Sequence, residues 1–450
     1  MSRRPHRPDR LVAALAGACA VVLFAACSGD GNRTATPSRS PAAAVTTPAA
    51  ASATAAPTTP PTAVATASAA ATAAASADPP DVDGALAHLD ALAVEIGSRP
   101  AGSEQERAAA DYIAGVLTAA GYEVTLEPFP IELRFDESTV TLPAGNSIDA
   151  TVFLEAPQTE VTGTLVLGGI GQAEELAGIP QGAIVLIDRG TLTFADKVRN
   201  AQSAGAAGVV IANNEPGFVR GSLGSLVPTI PALAITRAER AALAAATGQA
   251  VTMRPSAGTR AGTSQNVVAR SGETCRVLLG AHYDSVPAGP GANDNASGTA
   301  TMIELARAHR TDGLCAVAFG AEEIGLVGSR AYVAERDLSA VHAVLNFDMT
   351  GKITDALLVG DATLAGTVLD LLTAAGEGFP IRAGRFPAST ASDHVSFADV
   401  GVPALTVHSG DDELIHTAQD DRANVDRESL GTMLAIGDIA VAGVLATSGP

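Results

Sequence analysis

Five short segments put acidic or imidazole side chains directly after apolar runs: "GAHYDS" (280–285), "GANDNASG" (291–298), "GAEEIG" (320–325), "NFDMTG" (346–351) and "ELIHTAQD" (413–420). Taken singly, each has an ordinary structural use. His282 reads as a core histidine, Asp294 as a helix cap, Asp348 as a turn cap, His416 as a loop residue, and Glu322 with Glu323 as a solvated pair. Taken together they read differently, because carboxylates are rarely left beside buried strands without a partner. Two imidazoles and several carboxylates, with no thiolate, suit zinc, with manganese or cobalt as competitors. His282, Asp294, Asp348, His416 and a glutamate of the pair are too many for one ion that must keep an open position. They match two ions sharing a bridge. Asp284, two residues after His282 on extended chain, points to the same side and is placed to orient the imidazole. Neighbouring strand side chains face opposite ways, so Glu322 and Glu323 should not duplicate one role. Spacing alone does not say which of them takes the metal.

These residues need one sheet edge to hold them. From Cys275 the apolar runs "RVLLGA", "AVAFGA", "AVLNF", "ALLVG" and "PALTVH" alternate with the helical patterns "ASGTATMIELARAHR" and "GSRAYVAE". That alternation predicts an α/β domain with a mostly parallel mixed sheet sandwiched by helices, where ligands collect at the carboxyl ends of the strands. Upstream, "SEQERAAADYIAGVLTAAGYEV" opens on a capping-box pattern, Ser103 with Glu106. It places Ala109, Tyr112, Ile113, Val116 and Leu117 at helical spacing, and Gly121 closes it. Cys275 and Cys315 stand seven residues before His282 and Glu322 respectively. In-register parallel strands would bring the two sulfurs within disulfide reach; two free buried thiols are the alternative.

The chain has 450 residues, 28 Lys plus Arg against 48 Asp plus Glu, and a net charge of -20. That balance argues against a nucleic-acid surface or a polybasic membrane patch. Aromatics make up only 3% and Trp is absent, so the core must come from Ala, Val, Leu and Ile. Residues 1–27, "MSRRPHRPDRLVAALAGACAVVLFAAC", have the basic, apolar and small-residue layout of an export signal; a one-span anchor has a similar pattern. "FAAC" resembles a bacterial lipobox with Phe24 as its departure, which makes Cys27 the lipidated first residue of the mature chain. The expected location is the outer face of the cell membrane, lipid-anchored, or secreted. Residues 28–80 are nearly all Ala, Thr, Pro and Ser and read as a disordered linker.

The stretch "GAIVLIDRGTLTFADKVRNAQSAGAAGVVIANN" resembles the protease-associated (PA) domain, with Gly182, Arg189, Gly190, Phe194, Lys197, Ala201 and Gly205 on that family's pattern. This implies a β-rich insert at 146–258 that covers or positions substrate. The order "GAHYDS", "GANDNASG", "FGAEEIGLVGS", "NFDMTG", "SDHVSF" and "IHT" resembles the cocatalytic zinc aminopeptidases of metallopeptidase family twenty-eight (clan MH). The catalytic domain is then 81–145 plus 259–450. By position, the resemblance implies two Zn2+ ions. His282 and Asp348 would bind one, Glu323 and His416 the other, and Asp294 would bridge them. It makes Glu322 the general base acting on a metal-bridging water, and it implies a cis peptide between Asp294 and Asn295. Three positions depart from the family: Ile415 stands where many members have Tyr, Ala391 where some have Arg, and Asp421 follows Asp420 where "DT" is usual. The substrates implied are peptides, cleaved at the amino terminus, by a chain expected to be monomeric. A carboxypeptidase or dipeptidase, a glutaminyl cyclase of the same fold, and a receptor-like binding module are the alternatives.

Overall fold

The computed structural model describes residues 78–219, 221–376 and 378–447, so the export signal, Cys27 and nearly all of the linker lie outside the described residues. After α1 (Val82–Asp90) and α2 (Glu104–Ala119), strand β1 (Glu123–Asp136) begins one sheet. A second sheet follows, built from β2 (Thr139–Thr141), β3 (Ser147–Asp149), β4 (Thr151–Val152), β5 (Val161–Leu167), β6 (Ile184–Asp188), β7 (Gly208–Ala212), β8 (Ala232–Ile235) and β9 (Ala250–Arg254). Helices α3 (Phe194–Ser203) and α4 (Arg240–Ala244) accompany it. The chain returns through β10 (Ala257–Arg270), β11 (Val277–His282), α5 (Gly298–Ala308), β12 (Leu314–Phe319), α6 (Val327–Ala334) and β13 (Ala343–Phe347). It ends with β14 (Ala356–Gly360), α7 (Ala362–Ala374), β15 (Ile381–Gly384), α8 (His394–Ala398), β16 (Ala404–His408) and α9 (Arg427–Thr447).

The first sheet has the order β1-β10-β12-β11-β13-β16-β14-β15. Its centre, β12-β11-β13-β16, is parallel, while β1, β10 and β14 bring antiparallel pairings. Central strands buried on both faces need continuous apolar sequence, and β11, β12, β13 and β16 are buried throughout. One face packs against α1, α2, α5, α7 and α9 through Leu89, Ile113, Leu305, Val368 and Met433. The other meets Phe319, Tyr332 and Phe397, whose rings lie 6.0 Å apart. Helix α9 is long and apolar enough to cross a membrane, and it presents Leu430, Met433, Ile436, Ala440 and Val444 to the core.

Strands β1 and β10 pair antiparallel over their full length, from Glu123 with Arg270 to Asp136 with Ala257, and carry the chain out to the second sheet and back. That sheet starts at Thr139, ahead of the boundary expected at 146.

Ser103 caps α2 as its sequence predicts, accepting from Glu106 N at 3.0 Å. The reciprocal half differs: Glu106 accepts from Gly102 N and from Ser264 Oγ, both at 2.6 Å, tying the helix to β10. Cys275 and Cys315 are free thiols. Strands β11 and β12 are parallel neighbours, but His282 pairs with Phe319, so Cys315 lies level with Leu278. The two cysteines are therefore staggered. Even so, the neighbouring Cys315 thiol, together with burial, pushes the Cys275 thiol up.

Candidate metal centre

Three central strands end at the site. His282 is the last residue of β11, Asp348 follows β13, and Glu322 with Glu323 lie just past β12. Parallel strands finish on one edge, so these side chains meet there. His416 comes from the loop after β16, and Asp294 from the irregular turn ahead of α5, where the Asp294–Asn295 peptide is cis. Ala321, Met349 and His416 hold left-handed backbone at φ 56°, 57° and 59°. Each costs about 1 kcal/mol or more in a residue with a Cβ, and such strain gathers where side chains must be aimed.

The ligand atoms form two groups of three that share one residue: His282, Asp294 and Asp348, and Asp294, Glu323 and His416, each within 4.8 Å. His282 Nε2 is 3.2 Å from Asp294 Oδ1 and 3.5 Å from Asp348 Oδ1. His416 Nε2 is 3.2 Å from Asp294 Oδ2 and 3.1 Å from Glu323 Oε2. Glu322 belongs to neither group and lines the adjoining cavity with Met349, Phe386, Thr390, Ala391, His408 and Ile415. Arg385, six residues before Ala391, is exposed and absent from that lining. Among the described residues, the lining contains none from the second sheet.

Asp284 does more than its spacing suggests. Its Oδ1 is 3.6 Å from His282 Nδ1, beyond a hydrogen bond, while its two oxygens accept from Glu322 N at 3.0 Å and Glu323 N at 3.2 Å. The carboxylate thus fixes the backbone of the glutamate pair. Gly320 lets this turn close: a Cβ there would lie 2.4 Å from Ser264 Oγ and 2.6 Å from Gln265 O. On the far side, Asp420 accepts from Asn293 N at 2.8 Å and Asp294 N at 3.1 Å. Asn295 joins the Asp294 turn to the Asp348 loop, donating to Phe347 O and accepting from Met349 N, both at 3.0 Å. Ser392 donates to Asp348 Oδ2.

Arg99 is buried and, among the described residues, has no carboxylate in ion-pair contact. Its guanidinium donates to the carbonyls of Tyr283, Leu92, Gly97, Pro290 and Gly291, clamping the β11 end to the loop that leads to Asp294. Burial pulls it down to about 10, and the site carboxylates Asp284, Asp420, Asp294 and Glu323 act against that pull. Sequence reading passed over Arg99, and it gave no holding role to Asn295 or Ser392, although these stand inside "GANDNASG" and "SDHVSF". The trace of Arg99 was an arginine inside "IGSRPAGS", beside a turn rich in small residues.

The electrostatics ask for cations. Burial pulls the His282 imidazole down, yet Glu322, Asp284, Asp294 and Asp348 outweigh it and hold the group well above its ordinary value. Hydrogen bonds to Asp294 and Glu323 push His416 up to about 10. Burial, then the Asp294 charge, pushes Glu323 up to about 7, and burial does the same to Asp393. His282 Nδ1, Glu323 Oε1 and both oxygens of Asp393 are buried without a hydrogen-bond partner among the described residues. Carboxylate and imidazole donors, crowded and short of positive charge, fit zinc.

A fold and a cluster of this kind define a metal-dependent hydrolase. The chain matches the model of peptidase family M28 over residues 266–439 and that of the PA domain over 161–243. It is 31% identical to the aminopeptidase YwaD of Bacillus subtilis over 388 residues, covering 80% of this chain and 83% of that one. With the probable lipoprotein aminopeptidase LpqL of Mycobacterium tuberculosis it shares 33% identity over 59% of this chain and 58% of that one. The solved zinc aminopeptidase BSAP of Bacillus subtilis superposes with a TM-score of 0.61 at 27% identity, covering 81% of this chain and 95% of that one. The chain belongs to peptidase family M28, as an aminopeptidase-type hydrolase carrying a PA domain.

Proposed function

We propose that the protein is an exported aminopeptidase that uses two zinc ions to remove amino-terminal residues from peptides, with Glu322 as its general base. The observation that carries this reading is the division of the glutamate pair. Glu323 Oε2 sits 3.1 Å from His416 Nε2 inside a ligand group, whereas Glu322 is left to the cavity. His282 and Asp348 would hold one ion, Glu323 and His416 the other, and Asp294 both. Bound there, the ions would acidify a water and offset the charge that develops on the scissile carbonyl oxygen.

Glu322 takes a proton on the attacking side and returns it to the leaving amine, a task for a carboxylate that is not itself a ligand. Burial, reinforced by Asp393, Asp348 and Glu323, pushes its carboxyl well above the usual range, against the pull of His282. Asp284 keeps the Glu322 and Glu323 amides in place, so the base and the ligand share one anchor. Export and lipid anchoring at Cys27 rest on the "FAAC" sequence, and the likeness to LpqL, a probable lipoprotein aminopeptidase, supports them.

The test is leucyl nitroanilide hydrolysis beside metal analysis of the same sample. About two zinc per chain, activity lost on chelation and regained with zinc, and no cleavage of an amino-terminally blocked dipeptide are expected. One zinc per chain at full activity would sink the two-ion reading.

A further inference from the structure

The cavity beside the ligand cluster is lined by two unlike sets of residues. Its lining combines carboxylates and imidazoles of the cluster, including Glu322, with a second group, Met349, Phe386, Thr390, Ala391, His408 and Ile415, that belongs to neither ligand group. The reacting end of a bound peptide belongs with the first, so the side chain of its amino-terminal residue faces the second. That wall is apolar apart from Thr390 and His408. Val407 pairs with Phe347, so His408 stands beside Asp348 at the sheet edge.

The His408 ring is held in one state. Gly410 N donates to its Nδ1 at 3.0 Å, so Nδ1 presents a lone pair and the neutral ring carries its hydrogen on Nε2. Phe386 packs edge-on against the ring, with centroids 5.0 Å apart at 75°. Among the described residues Nε2 has no partner, yet it is absent from the buried polar atoms that lack one. A fixed donor on an otherwise apolar wall favours a matching acceptor and leaves an apolar side chain facing an unpaired N–H.

We propose that His408 is a specificity-determining residue: its Nε2–H donates to the amino-terminal side chain of the substrate, selecting neutral side chains that end in an oxygen acceptor, as glutamine does. This rests on the aminopeptidase reading above. The probes are glutaminyl and methionyl amidomethylcoumarin, equal in side-chain length and different in the acceptor. Their ratio of kcat/KM is measured in the unmodified protein, in His408→Phe and in His408→Gln, whose amide can again donate from the ε position. The ratio should fall roughly tenfold in His408→Phe and recover in His408→Gln. An equal loss on both substrates, an unmoved ratio, or loss of zinc from His408→Phe overturns the inference. The last would mean that His408 acts through Asp348. A native protein that cleaves neither probe fails the aminopeptidase reading; one that cleaves both with a ratio indifferent to residue 408 fails this inference alone.

Discussion

The two halves of the metal cluster offer similar donors on different foundations. His282 and Asp348 belong to strand ends in the middle of the sheet, with side chains 1% and 10% exposed. His416 reaches in from a loop, on left-handed backbone, with its side chain 54% exposed. Asp294 stands between them on a turn held by Asp420. The buried half is packed into the sheet, whereas the open half is carried on an exposed loop. Removing a residue should therefore have different consequences on the two sides.

The largest effect is expected outside both halves. Glu322→Gln keeps the shape and removes the proton carrier proposed above, so kcat should fall roughly 100- to 10,000-fold. Zinc per chain should stay unchanged, since Glu322 lies in neither ligand group. A variant that loses zinc would place Glu322 among the ligands and erase the division of the pair. Next comes the comparison itself. In the metal-free protein, His282→Ala takes the buried imidazole away from Asp294 and Asp348, leaving Asp348 with the Ser392 hydroxyl and no cation, and should cost about 3 kcal/mol or more in urea unfolding. His416→Ala, at an exposed position, should cost about 1 kcal/mol or less while still weakening zinc binding. Equal costs would mean that the halves are not founded differently.

Much of this could be read from residues alone, because strand-end carboxylates after buried runs are a local signal. The parallel centre and the sheet edge at which His282, Asp348 and the glutamate pair lie follow from it; Asp294 on its turn and His416 on its loop, and the role of each residue, came from the family resemblance. The register of the cysteines was not legible. Counting seven residues back from His282 and Glu322 puts those two residues level, yet His282 pairs with Phe319, because residues 320–322 belong to the turn that aims the glutamates. Asp284 illustrates a second limit. Alternation shows which side it faces, but its partners are amides of a segment about forty residues away, and no local pattern encodes that meeting. Arg99 is hidden for the same reason, since all its guanidinium partners are carbonyls.

The halves should also separate with pH once zinc is removed. A group whose pKa is raised on folding holds its stabilising proton fully below the unfolded value and loses it as pH rises through the folded one. Glu323, raised from 4.5 to about 7 by burial and by Asp294, sets a first window. His416, raised from 6.5 to about 10 by Asp294 and Glu323, sets a second. The metal-free protein should therefore lose melting temperature from pH 5 to 7 and again from 7 to 10; His416→Ala should remove the second fall and, by taking a hydrogen bond from Glu323, move the first to higher pH. Zinc replaces those protons, so the loaded protein should fall less. Thermal melts at pH 5, 7 and 9, with and without chelator, decide this; a flat metal-free profile would rule it out.

The smallest effect tests what joins the halves. Asp420 holds the Asp294 turn through two backbone amides, and an asparagine in its place would keep one acceptor while turning its own amide group toward an N–H. Asp420→Asn should weaken zinc about tenfold, the usual scale for a residue that orients a ligand without touching the metal, with kcat of the zinc-saturated protein little changed. The neighbouring carboxylate provides the contrast. Asp421 only caps the turn at Arg422–Asn424, accepting from Ala423 N at 2.9 Å, and Asp421→Ala should cost about 1 kcal/mol of stability with zinc affinity intact. If competition with a chromogenic chelator gives both variants the same zinc affinity, Asp294 is set by its own turn, and the two halves are joined without help from the loop that carries His416.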